Sequence, residues 1–210
     1  MKYEWKKNEK ALYSAKEKPS SIVVPRQNYI IISGKGNPNE DDFSEKASVL
    51  YSIAYAIKIR HKAFCTDLEQ RKQFDYSDYT LFPLEGVWTS SDLINLLDKD
   101  SFIYTIMIKQ PDFITKEMFV AAYEAVGRKK PHPLLQEVTF EMLEDSLCVQ
   151  ILHIGVFDDE PESFAKMDAF SRKNQLERIN HYHREIYLTD ARKTAPEKRQ
   201  TILRYQVKEG

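Results

Sequence analysis

Glu185 stands in HREIYLT (183–189), an acid inside a run that otherwise reads as a strand. Ile186, Tyr187 and Leu188 favour strands, and Thr189-Asp190 is a natural exit turn. A carboxylate held beside aromatic rings can take a proton from water or face an organic cation. A second acid in similar company is Glu85 in DYTLFPLEGVWT (78–89), which also carries Tyr79 and Trp88. Side chains alternate along a strand, so Glu185 and Tyr187 share one face while Ile186 and Leu188 share the other. With the apolar pair packed on a helix, the acid and the ring look out of the opposite face. The same alternation sends Phe82 and Leu84 to the helix and Tyr79 and Glu85 away from it. Gly86 permits a bulge that turns Trp88 to the Glu85 side. The expected site is thus a ring-lined hollow holding Glu185, Tyr187, Glu85, Trp88 and Tyr79. The plain alternative is a pair of solvated acids on an open sheet, with the rings packed at its edges.

Other reactive residues lack partners in the sequence. His181 and His183 read as surface residues, since no third ligand has metal-site spacing, and no metal or other cofactor is expected. Ser14, Ser21 and Cys148 have no evident base to activate them. RHK (60–62) and GRKK (127–130) read as basic helix ends. Cys65 and Cys148 lie far apart without C-x-x-C spacing, which fits reduced thiols in the cytoplasm.

Lys+Arg 31 against Asp+Glu 32 leaves a net charge of −1, which argues against a direct nucleic-acid binder. The charged start MKYEWKKNEKALYSAKEKP is unlike a signal peptide, and no apolar run is long enough to span a membrane. With 42% apolar residues, 210 residues support a proper core. No long apolar stripe is left over outside that core, so a monomer or weak dimer is expected.

The elements that position the acids follow from periodicity. Residues 1–27 form a polar arm with one edge strand near Ile22–Val24. NYIIISGKG (28–36) is a strand and turn, and 41–62 a helix with Phe43, Ala47, Leu50, Ala54 and Ile57 on one stripe. SSDLINLLDKD (90–100) suggests a short helix, 101–110 a strand, 115–130 a helix stopped by Gly127, and 134–145 another helix. The later part then follows the earlier one: strand and turn 146–159, helix 161–176, strand 183–189, strand 200–207. Strand–helix–strand–strand occurs twice, with Gly36 matched to Gly155 and Glu85 to Glu185, offsets of 119 and 100. The fold class is α+β: two lobes, 28–145 and 146–210, each an antiparallel sheet backed by a helix and related by a pseudo-two-fold axis, with a ligand cleft between their uncovered faces.

PLEGVW (83–88) and HREIYLTDARKTAPEKRQTILRYQV (183–207), together with the element order, resemble the GyrI-like (gyrase-inhibitor-like) small-molecule-binding family, stand-alone members in particular. The resemblance runs from about residue 11 to 207, and no helix-turn-helix domain precedes it. It implies a duplicated fold with a central pocket for lipophilic, often cationic or aromatic compounds, and Glu185 matches the pocket glutamate. One subfamily is similar in having an aromatic cage and hydrolyses the cyclopropane ring of DNA-alkylating cyclopropanoids. For such chemistry Glu185 is the candidate base and Tyr187 a hydroxyl donor, with Trp88, Glu85 and Tyr79 as the cage. Two further readings stay open: a binder or sensor in which Glu185 is a counter-charge, and a gyrase-inhibitor-like interaction protein. The near-neutral charge offers the last of these no acidic face.

Overall fold

The centre of the molecule is an antiparallel strand pair, β5 (Leu84–Ser90) and β10 (His183–Tyr187). Glu85 stands opposite Ile186, Gly86 opposite Glu185, Val87 opposite Arg184 and Trp88 opposite His183. The computed structural model describes residues 1–210 apart from 93, 96 and 97 and the side chains of 68 and 70, so part of the expected 90–100 helix lies outside the described residues.

The sheet repeats itself outward from that pair. One side continues through β6 (Phe102–Gln110), β3 (Gln27–Lys35) and β7 (Thr139–Leu143). The other continues through β11 (Gln200–Glu209), β8 (Ser146–Ile154) and β2 (Ser20–Val24), and β9 (Leu176–Arg178) pairs with the end of β11. All these pairings are antiparallel. The order β3, α3 (Asp41–Phe64), β5, β6 recurs as β8, α6 (Glu160–Lys173), β10, β11. The molecule is α+β, and the repeats are related by a pseudo-two-fold axis normal to the sheet between β5 and β10.

Local chemistry explains the elements. Asp41 and Asp42 occupy the first turn of α3 and His61 and Lys62 its last, which complements the helix dipole. Leu50, Ile53, Ala54 and Ile57 form its buried stripe, in one core with Ile30, Ile32, Ile106 and Ile108 of the sheet. Beside α3 lies α5 (Lys116–Lys129), capped by Thr115 and running through Gly127 rather than stopping there. Over the later repeat, α6 packs Met167, Phe164 and Phe170 on Val149, Ile151, Leu203 and Tyr205. Gly36 and Gly155 close β3 and β8 at φ +99° and +140°, a region that side chains disfavour.

The opposite face is not open, which corrects the expected pair of uncovered surfaces. β1 (Lys2–Tyr3) pairs in parallel with β4 (Asp78–Tyr79), and the helical turns α1 (Trp5–Asn8) and α2 (Lys10–Tyr13) follow it across that face. Trp5 and Tyr13 are buried, both with their rings against Phe82. The Trp5 indole N–H donates to the Leu81 carbonyl at 2.8 Å, Lys109 pairs with Glu9, and Arg204 donates to the Leu12 carbonyl at 2.7 Å. β2 and β3 lie near opposite ends of the strand order, yet only Pro25-Arg26 separates them, so those edges come within ~11 Å.

Residues 134–145 do not form the expected α-helix. A 3-10 turn (Pro133–Glu137) leads into β7, where Phe140 pairs with Ile30 and Met142 with Asn28. The β-branched and aromatic run Val138-Thr139-Phe140 fills an edge that β3 would otherwise expose. A single-turn helix, α4 (Leu68–Arg71), completes the loop after α3.

Candidate functional site

Directly opposed residues of neighbouring strands share a face, so the β5–β10 register decides which side chains meet. Glu185 faces the same way as Gly86, Ile106 and Leu203. That is the helix face, since Leu203 packs on Met167 of α6 and Ile106 shares a core with the buried stripe of α3. Trp88, His183 and Tyr187 lie on it too. Glu85, Arg184 and Ile186 lie on the other, beneath the amino-terminal arm. Sequence reasoning had these assignments reversed for Glu185 and Tyr187, because it allowed only one apolar face. Ile186 is covered, but by the arm-side core that also holds Tyr13 and Ile202.

The expected bulge after Glu85 is absent. Pairing with β6 runs unbroken from Leu84–Ile108 to Ser90–Phe102, so Trp88 stays on the face opposite Glu85. Gly86 serves another purpose. A Cβ there would collide with the Trp88 indole nitrogen and stand 3.2 Å from the Tyr187 hydroxyl. The missing side chain is what lets Trp88 fold back over its own strand to Tyr187.

Over β5 and β10, between α3 and α6, the side chains form an aromatic and acidic seam. The Trp88 indole N–H donates to the Tyr187 hydroxyl at 2.9 Å, and that hydroxyl feels the charge of the nearby Glu185 carboxylate. His183 Nε2 lies 3.0 Å from Glu185 Oε1. Phe43 of α3 stacks on Trp88 at 5.8 Å, and Phe157 meets Tyr187 edge-on at 6.0 Å. Glu160, the first residue of α6, completes the group from above. Glu185 is only 8% exposed and Glu160 7%. Burial, and then Glu185 and Glu160, push the Tyr187 hydroxyl well above its ordinary value, so it stays a donor. Burial likewise raises the Glu160 carboxyl, with Glu185 and Asp158 adding to the effect.

On the arm face Glu85 belongs to a buried ion cluster. Arg184 Nη1 donates to it at 2.9 Å, the Tyr13 hydroxyl at 3.1 Å and the Tyr29 hydroxyl at 3.5 Å. Arg184 also pairs with Asp145 at 2.8 Å, from the β7–β8 link. Burial alone would lower Arg184, but Tyr29, Asp145 and Glu85 hold it well above its ordinary value. Tyr79 belongs to neither group: it is fully buried, its hydroxyl donates to Gln110 at 3.3 Å, and its ring lies near His61 and Phe113. The structure therefore brings Glu185, Tyr187 and Trp88 together and separates them from Glu85 and Tyr79. It adds Glu160 and His183, which sequence reasoning missed. His183 had the face parity of Glu185 as its signal, whereas Glu160 in DDEP looks like an ordinary helix-start acid.

Residues 17–208 match the GyrI-like small molecule binding domain. The chain belongs to the GyrI-like family. An uncharacterized conserved protein from Listeria innocua is 38% identical over 98% of this chain and 100% of its own, with a TM-score of 0.88. A hydrolase from Listeria innocua is 37% identical over 99% of this chain and 100% of its own, with a TM-score of 0.87. The C-terminal domain of EcmrR, 10% identical over 92% of this chain and 98% of its own, shares the GyrI-like fold at a TM-score of 0.57. No curated protein matches the chain. Among the described residues no helix is long and apolar enough to cross a membrane.

Proposed function

We propose that this GyrI-like domain binds a planar lipophilic xenobiotic in the seam between α3 and α6 and hydrolyses a strained electrophilic ring on it, as in cyclopropanoid DNA alkylators. The observation that carries this reading is the grouping of Glu185 with rings: a largely buried carboxylate 3.0 Å from the His183 imidazole, on the same face as the hydrogen-bonded pair Trp88–Tyr187. The similarity to a Listeria hydrolase supports a reaction rather than binding alone.

The rings position a planar substrate by stacking, which replaces a bimolecular encounter with a local one. A water beside Glu185 gives that carboxylate a proton while its oxygen bonds to the cyclopropane methylene carbon. The C–C bond breaks, its electron pair moves into the conjugated carbonyl, and the resulting oxyanion recovers the proton. The net change is addition of one water. General-base help is worth ~10²–10⁴-fold, enough for so activated a ring. His183, 3.0 Å from its carboxylate, holds Glu185 in place for the transfer.

Product analysis after incubation with a cyclopropane-bearing alkylator tests the reading. Ring-opened, water-added product formed in proportion to enzyme turnover is expected. Intact ligand recovered quantitatively from a tight complex would instead make Glu185 a counter-charge in a binding protein.

A further inference from the structure

Glu160, His183 and Glu185 each offer one ligand atom, and these atoms all lie within 4.8 Å of one another. His183 and Glu185 come from one face of β10, and Glu160 from the start of α6. The contrast with the arm face is informative. There, buried Glu85 is met by the Arg184 guanidinium at 2.9 Å. Here, Glu160 is 93% buried by its 7% exposure, and its Oε1 atom has no hydrogen-bond partner. A buried carboxylate oxygen left without a donor or cation, in a group with a second acid and an imidazole, is an arrangement that a dication completes.

We infer that Glu160, His183 and Glu185 form a binding site for a divalent transition metal ion. One imidazole and two carboxylates suit zinc or manganese, whose bonds to such ligands run to about 2.0–2.2 Å. Ligand atoms around such an ion stand roughly 3–3.6 Å apart. The His183–Glu185 separation of 3.0 Å already meets this, and the Glu160 carboxylate closes in from within 4.8 Å. Three protein ligands leave an open position. Sequence spacing expected no metal because the third ligand comes from a distant helix start. The inference stands whether or not the domain opens cyclopropanes.

The test is calorimetric titration of the full chain, stripped with a chelator, against Zn²⁺ and Mn²⁺ separately, with melting temperature measured in parallel. One ion per chain and a raised melting temperature are expected for at least one of the two metals, because an ion that binds only the folded state stabilises it. Glu160→Gln and His183→Ala should each weaken binding about tenfold or more, while Glu177→Gln, a surface acid on β9, should not. Anomalous scattering from wild-type crystals soaked in the metal should place it among the three residues, independently of how the variants fold. Binding of neither ion, or binding that survives both substitutions, overturns the inference.

Discussion

Trp88 and Tyr187 meet across the pseudo-two-fold axis, indole nitrogen to hydroxyl at 2.9 Å, and they are separated by 99 residues. On the reverse of the same two strands Glu85 meets Arg184 at 2.9 Å, also with a separation of 99 residues. An axis normal to a sheet maps each side chain onto its own face, so antiparallel β5 and β10 superpose only at an odd offset. Each face therefore carries one cross-axis pair: a hydrogen-bonded aromatic pair towards the helices and an ion pair towards the arm.

The aromatic pair depends on Gly86. Gly86→Ala should cost ~1–3 kcal/mol by overpacking against Trp88 and Tyr187, and should also weaken binding of planar aromatic probes. Gly127→Ala is the contrasting control, because a Cβ there meets nothing within 4 Å in a helix interior. That change should stabilise by ~0.5–1 kcal/mol. Urea midpoints of the two variants give the comparison, and equal signs would contradict the packing account.

Stacking should be visible in affinity. Trp88→Phe keeps an aromatic ring but shrinks it and removes the bond to Tyr187, so affinity for a planar aromatic ligand should fall by ~1 kcal/mol. Fluorescence titration measures it, and an unchanged dissociation constant would remove Trp88 from the binding surface.

The ion pair on the arm face should behave as a unit. Arg184→Met leaves Glu85 buried without its guanidinium, at an expected loss of about 3–5 kcal/mol. Adding Glu85→Gln should recover a large share of that loss, since the uncompensated charge is gone. Independent, additive losses in the double-mutant cycle would contradict the pairing.

Asp42 tethers the ring next to Trp88, accepting from the Tyr104 hydroxyl at 3.1 Å and from Lys46 at 2.6 Å. The Lys46 ammonium holds the Asp42 carboxyl below its ordinary range, with burial opposing and Tyr104 reinforcing. A carboxyl lowered on folding adds stability above its unfolded value, ~3.9, and that stability fades as pH falls through the lower folded value. The side chain is 51% exposed, so screening keeps the contribution near ~0.5 kcal/mol. Asp42→Asn should therefore lower the urea midpoint slightly at pH 7, with the deficit shrinking towards pH 3. A deficit that is the same at both values would contradict it.

Most elements were legible where one period dominated: the apolar stripe of α3, the β-branched runs of β3 and β6, and the tail that became β10 and β11. Residues 134–145 misled because Leu134, Leu135 and Val138 mimic a helical stripe, while the strand they precede is fixed by pairing with distant β3. The site was legible as a set of residues but not as a geometry. Matching Glu85 to Glu185 used an offset of 100, one residue from the observed 99, and a one-residue slip exchanges the faces of a strand. Local alternation could not reveal that a polar-looking arm brings Trp5 and Tyr13 to cover the second face.

The central claim is that Glu185, seated with Tyr187 and Trp88, takes the proton of the attacking water. The direct measurement is the single-turnover rate of ring opening by Glu185→Gln, with the protein in excess and at saturating concentration and the fold checked by circular dichroism. A fall of ~10²-fold or more with binding retained is expected. A rate equal to that of the unaltered chain would contradict the claim.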